Sequence, residues 1–123
     1  MNIRTTVKRD GIYAYSVDCT HIESIGDWVR VVGNNKVSKL VDNSYSDVLG
    51  VIYGKSSPTS CNVIIAGKAE LFVGLDINKQ RYFLGNLGII VEAPPLTGYI
   101  IELGRPVTSS ILNLNIRTIA KRS

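Results

Sequence analysis

The chain has 123 residues, a formal charge of +4 and a single histidine. One domain of this size buries roughly two thirds of its unfolded surface, so neither a metal nor a disulfide is needed to hold a core. Hydrophobic residues at 45% and charged residues at 20% exclude a disordered chain. No apolar run approaches the roughly 18 residues of a membrane helix. The basic start MNIRTTVKRDGIYAYS lacks the apolar stretch of a signal peptide, which predicts a protein made and used without export and with both cysteines reduced.

In chain order the elements read as short strands. Residues 2–7 form an edge strand or a contact arm, and Gly11 interrupts them. Residues 12–19 are β-forming, with imperfect alternation. Trp28, Arg30 and Val32 alternate with Val29 and Val31, and Gly33-Asn34-Asn35 turns the chain into a return strand at 36–41. Residues 47–53 form a strand with Gly50 inside it, a sign of a bulge or a close backbone approach. After a loop at 54–60, the β-branched run at 61–66 reads as buried on both sides.

Gly67 then permits a bend into residues 67–84, the clearest piece of β grammar in the chain. Ala69, Leu71 and Val73 share one face, the 74–80 segment supplies turn chemistry, and Tyr82 and Leu84 resume an apolar face, which predicts a hairpin. Further strands are expected at 89–93, 98–103 and 111–116, with Pro94-Pro95 and Gly104-Arg105-Pro106 as breaks. No stretch sustains a 3.6-residue period. Nine or ten short strands with turns every eight to twelve residues predict an all-β fold, a compact barrel or sandwich.

The charge is unevenly placed. Residues 10–116 hold eight basic and ten acidic side chains, a balance of −2, so the excess lies at the ends. Arg4, Lys8 and Arg9 precede the body, and Arg117, Lys121 and Arg122 follow it. The expected organisation is a basic arm at 1–10, one β domain at 11–116 and a basic tail at 117–123, with flexible ends suited to an acidic partner surface. The mean hydropathy of +0.13, and strands such as Ile64-Ile65, Ile89–Val91 and Ile100-Ile101 with apolar residues on both faces, predict an apolar face covered by another subunit, against a two-layer sandwich that buries it internally.

Catalytic chemistry finds little support. Cys19, His21 and Cys61 match no metal-ligand spacing, so buried thiols and a loop imidazole are the simpler reading. A hydrolytic triad has only His21 as a base and no GxSxG. The acids lie mostly at turns or on solvated faces, and no glycine pair opens a phosphate-binding helix. The tyrosines and phenylalanines are scattered through a net acidic body, which argues against a single-stranded nucleic-acid platform. The expectation is a protein without enzymatic activity, cofactor or metal.

Several segments carry a resemblance. Cys19 is followed by Gly26-Asp27-Trp28-Val29. Val48-Leu49-Gly50-Val51-Ile52 precedes Cys61-Asn62-Val63 and Gly67. Ala69-Glu70-Leu71-Phe72-Val73-Gly74-Leu75-Asp76 leads to Tyr82-Phe83-Leu84, and Ala93-Pro94-Pro95, Gly98, Leu103-Gly104-Arg105-Pro106 and Ser109-Ser110 close the series. In order and spacing these resemble a family of small all-β virion proteins of tailed bacteriophages, which serve in capsid decoration and as tail-fibre-associated modules. The match runs from Cys19 to Ile116, about four fifths of the chain. Gly85-Asn86-Leu87-Gly88 is shorter than the family's usual loop, and the basic ends fall outside the match.

The resemblance implies a capsid decoration protein on the virion surface, assembled in the host cytoplasm. Its implied partners are the major capsid protein and copies of itself, a trimer suiting local three-fold positions, with no membrane and no direct nucleic-acid contact. A tail or fibre module for host-glycan adhesion or fibre assembly is the alternative. The expected partner contacts are Arg4, Lys8, Arg9, Arg117, Lys121 and Arg122.

Overall fold

The computed structural model describes residues 3–122, with the Arg122 side chain outside the description. Its described residues are all-β, in ten strands: β1 (Thr6–Lys8), β2 (Gly11–Asp18), β3 (Trp28–Gly33), β4 (Lys36–Lys39), β5 (Val48–Ser57), β6 (Ser60–Glu70), β7 (Tyr82–Leu84), β8 (Ile90–Val91), β9 (Gly98–Pro106) and β10 (Ile111–Arg122). The expected barrel is present. Strands β2, β4, β3, β5 and β6 neighbour one another in that order, and β2 closes the circle by pairing with β6. The sheet then runs on from β6 through β10, β9 and β7 to β8, while β1 lies on β2.

Two apolar layers follow from this path. Inside the barrel lie Ala14, Val17, Cys19, Val29, Val37, Ile52, Cys61 and Val63. Between the outer face of β3, β5 and β6 and the extended sheet lie Trp28, Val51, Ile64, Leu84, Ile101, Leu103 and Leu112, with others. Neighbours along one strand alternate between the layers: Trp28 and Val29, Val51 and Ile52, Val63 and Ile64. The period-2 geometry of a strand requires this when both faces are buried. The double burial expected for the 61–66 run is therefore real, and the chain itself supplies the cover. Ile64 is 5% exposed and Ile101 fully buried.

Gly50 and Gly67 permit the crossing of these strands. A Cβ on Gly50 would overlap the Ile64 carbonyl oxygen, which realises the close approach expected there. Gly67 has φ +94° and is paired on both sides, with Gly11 of β2 and Leu114 of β10. A Cβ on it would overlap the Asp10 carbonyl.

Four expectations need correction. The 67–84 segment is not a hairpin, because β6 pairs with β2, β5 and β10 whereas β7 pairs with β8 and β9. The β6 strand stops at Glu70, and Val73 is 98% exposed. The segment after it crosses the second layer instead: Phe72 stacks on Trp28 at 6.3 Å, Leu75 is buried, and the Asp76 N–H donates to the Tyr82 hydroxyl at 2.7 Å. Secondly, residues 54–60 are not a loop, because β5 and β6 continue to a tight turn at Pro58-Thr59. Thirdly, Gly104-Arg105-Pro106 does not break its strand, since β9 continues through it opposite Leu112, Asn113 and Leu114.

Lastly, the ends are not free arms. Thr6, Val7 and Lys8 pair with Tyr13, Ile12 and Gly11. The expected boundary at residue 116 disappears, because Arg117, Thr118, Ala120 and Lys121 pair with Glu102, Ile101, Ile100 and Tyr99 of β9. The physical reason is the unpaired edge of β9, whose N–H and C=O groups recruit any β-competent segment that reaches them.

Both cysteines are buried in the barrel layer, and burial together with the neighbouring Cys19 thiol pushes the Cys61 thiol up to about 12. The thiolate is the reactive form, so native protein should be nearly inert to a thiol reagent at pH 8, and both thiols should react after denaturation. Fast native labelling would show that the barrel opens. Gly50→Ala should lower stability by about 1–3 kcal/mol or more, read as a shift of the urea midpoint, because the Ile64 backbone cannot retreat from the added methyl group.

Candidate partner-binding surfaces

The first surface is built on a bulge in β2. Register slips between Ala14 and Val17, leaving Tyr15 and Ser16 unpaired with β6. Ser16 has φ +55°, an uncommon conformation for a residue other than glycine. Two side chains hold it there. Asn62 Oδ1 accepts from the Ser16 N–H at 3.1 Å, and Asn35 Nδ2 donates to the Ser16 carbonyl at 3.0 Å. A bulge re-aims side chains, and here Tyr15 stacks with Tyr13 at 6.1 Å while Tyr53 meets both rings edge-on at 5.8 and 6.5 Å.

Lys8 from β1 sits with its Nζ 5.1 Å from the Tyr15 ring centre. Hydrogen bonding with the Lys8 ammonium lowers the Tyr15 phenol from its ordinary value, and the same contact raises Lys8. Burial, and then the hydrogen bond to Tyr15, push the Tyr53 phenol upward. Beside this cluster, Arg4, Tyr15, Ser16, Asn34 and Asn35 line a polar groove of about 530 Å³.

The second surface lies where β9 and β10 meet the segment leading into β7. Glu102 is a buried carboxylate, its side chain 12% exposed, held between two arginines. Arg81 Nε approaches Oε1 at 3.0 Å and Arg117 Nε donates to Oε2 at 2.5 Å. Register slips between Leu114 and Arg117, which places Arg117 opposite Glu102. Arg105, Asn113 and Asn115 complete a groove of about 330 Å³. Three guanidiniums face one carboxylate there.

The residues expected to contact a partner are therefore divided. Arg4 and Lys8 both reach the Tyr15 surface, and Arg9 is exposed in the turn between β1 and β2. Arg117 belongs to the second groove, which shares no lining residue with the first. Lys121 lies over the Tyr99 ring at 5.3 Å. Arg122 ends β10, its side chain outside the description. His21 is exposed on the rim of a shallow hollow with Ile25 and Pro58, whereas Cys19 and Cys61 are buried in the barrel layer.

Sequence reasoning missed Arg81, Glu102 and Arg105. The outward alternation of Asn113 and Asn115 along one strand marks a polar face, but nothing local brings Arg81 across to it. A fourth guanidinium, Arg30, is ordered by Asp47 at 3.0 and 3.1 Å and stacks on Tyr45 at 4.0 Å.

Glu102→Gln should lower stability by about 2 kcal/mol on thermal or urea unfolding, because two guanidiniums lose the carboxylate that orders them. An unchanged midpoint would mean that solvent already screens the cluster. Comparison with family models, with curated proteins and with solved structures returns no match to this chain, so no relative supplies a role for either surface.

Proposed function

We propose that the protein is a non-enzymatic structural component of a tailed-phage particle: a capsid decoration protein that binds the major capsid protein and copies of itself on the head surface. The observation that carries this reading is the pair of ordered basic surfaces on one continuous sheet, at the β2 bulge and at the β9–β10 groove. A cementing module needs contacts that are already ordered before docking, since each ordered side chain lowers the entropy lost on binding. Small gains per copy then multiply over a symmetric shell.

The resemblance of residues 19–116 to small virion proteins of tailed phages, which serve in capsid decoration and as tail-fibre-associated modules, supports a virion role. Self-contact has apolar surface to draw on. With the faces of β6 and β9 covered internally, the exposed apolar side chains lie largely in connections, including Leu87 at 70%, Ile89 at 56% and Leu96 at 84%. Leu87 lies within the short Gly85–Gly88 turn, Ile89 directly after it, and Leu96 after the Pro94-Pro95 pair.

One observation favours the second reading, a tail or fibre module that binds host glycans. The Tyr15 ring beside Arg4, Asn34 and Asn35 combines an apolar face with amide donors, a combination suited to sugars.

Copy number and place distinguish the two. Purified protein mixed with undecorated phage heads should bind in hundreds of copies, visible as added density on the capsid by cryo-EM; a few copies confined to the tail would overturn decoration. Deleting residues 1–9 should weaken head binding while the barrel stays folded at reduced stability, because β1 is exposed along its whole length and lies outside the closed ring, and Ile3 is a deleted residue that packs against the barrel layer. Unfolding of the truncated protein would show instead that β1 is needed to hold β2 in place.

A further inference from the structure

We infer that the groove between β9, β10 and the segment entering β7 binds an extended acidic peptide of a partner protein, with Arg81, Arg105 and Arg117 taking its carboxylates. The inference rests on the decoration reading only for which protein supplies the peptide.

Charge is the first argument. Glu102 neutralises one of the three guanidiniums, which leaves two positive charges in excess around about 330 Å³. This excess sits on a chain whose residues 10–116 carry a balance of −2, so it is a local concentration rather than a general basic surface.

Orientation is the second. Glu102 holds Arg81 and Arg117 by their Nε atoms, with side chains still 44% and 61% exposed. A guanidinium fixed at Nε keeps amino groups for a further acceptor, and its planar fork matches a carboxylate. Arg105 forms no ion pair among the described residues. The rotamer order that exposed arginines usually lack is thus supplied in advance by one shared carboxylate.

Shape and composition name the ligand. Asn113 and Asn115 project from alternate positions of β10, about 7 Å apart. That is the spacing of alternate side chains on an extended peptide, and their amides can both donate to and accept from its backbone. Among the described residues no aromatic ring lines the groove, so nucleic-acid bases and sugar faces find no stacking partner there. The Glu102 carboxylate in the wall further disfavours a continuous polyphosphate.

The test uses the whole protein and a short fluorescein-labelled peptide alternating Glu and Thr, followed by fluorescence polarisation. Its Gln-Thr counterpart should bind at least about tenfold more weakly, and affinity for the Glu peptide should fall as salt rises. Arg105→Ala should weaken Glu-peptide binding about tenfold, the loss of one charge-assisted pair. Its thermal midpoint should not move, because Arg105 is exposed and outside the Glu102 cluster. Arg105→Lys should recover part of the binding through charge alone.

Equal binding of the two peptides, or undiminished binding by Arg105→Ala, would overturn the inference. So would tighter, Arg105-dependent binding of oligothymidylate, which would assign the groove to nucleic acid. Peptide binding by a protein that never attaches to heads would sink the decoration reading and leave the groove standing. Head binding unaffected by Arg105→Ala, with peptide binding lost, would leave decoration standing and remove the capsid as the source of the peptide.

Discussion

Strand β6 is the constraint from which the other features follow. Its residues Val63 and Ile64 point into different apolar layers, and its backbone is paired with β5, β2 and β10. A strand apolar on both faces cannot sit at a barrel wall that faces water on one side. Either a second molecule or a second sheet has to cover the outside. Here the chain provides the sheet, by sending β7, β9 and β10 back across β3, β5 and β6. Glycines at 50, 67 and 104 make room, since at each a Cβ would strike the backbone of a neighbouring strand.

The position of the basic residues follows from that cover. Leu112, Leu114 and Ile116 of β10 cover the outer layer, and the continuation of the same strand carries Arg117 and Lys121 out of the expected tail and into pairing with β9. The same pairing sets Arg117 against Glu102. Arg81 arrives because it directly precedes Tyr82, which is buried in the core and pairs with Gly104 of β9. One buried carboxylate with two exposed cations then costs less desolvation than it would unpaired, and it orders the guanidiniums in exchange. At the other end, the β2 bulge does the equivalent for Tyr15, with Asn62 and Asn35 satisfying the backbone of Ser16.

Much of the fold is legible in the residues. Alternation over 28–32 and 111–116, the turn at Gly33-Asn34-Asn35 and the unbroken apolar run at 61–66 each predict the element that forms, and the close approach at Gly50 is readable from a glycine inside a strand. Partner choice is where legibility ends. Residues 67–84 have the local grammar of a hairpin, yet β10 takes the place beside β6 that the hairpin reading assigns to β7. Local pattern specifies that a segment is extended and which face is apolar, but not which edge it will meet.

The sequence by itself determined an all-β chain, its two-faced central strands and the concentration of positive charge near its ends. Those properties depend on residue type and on a period of two, both written locally. Tertiary structure alone decided that the second apolar face is covered from within, that the ends are strands, and that Arg81 and Arg117 converge on Glu102 with Arg105 in the same groove. Those outcomes depend on pairings between residues far apart in the chain, where closing the barrel and burying both layers together outweigh local preference.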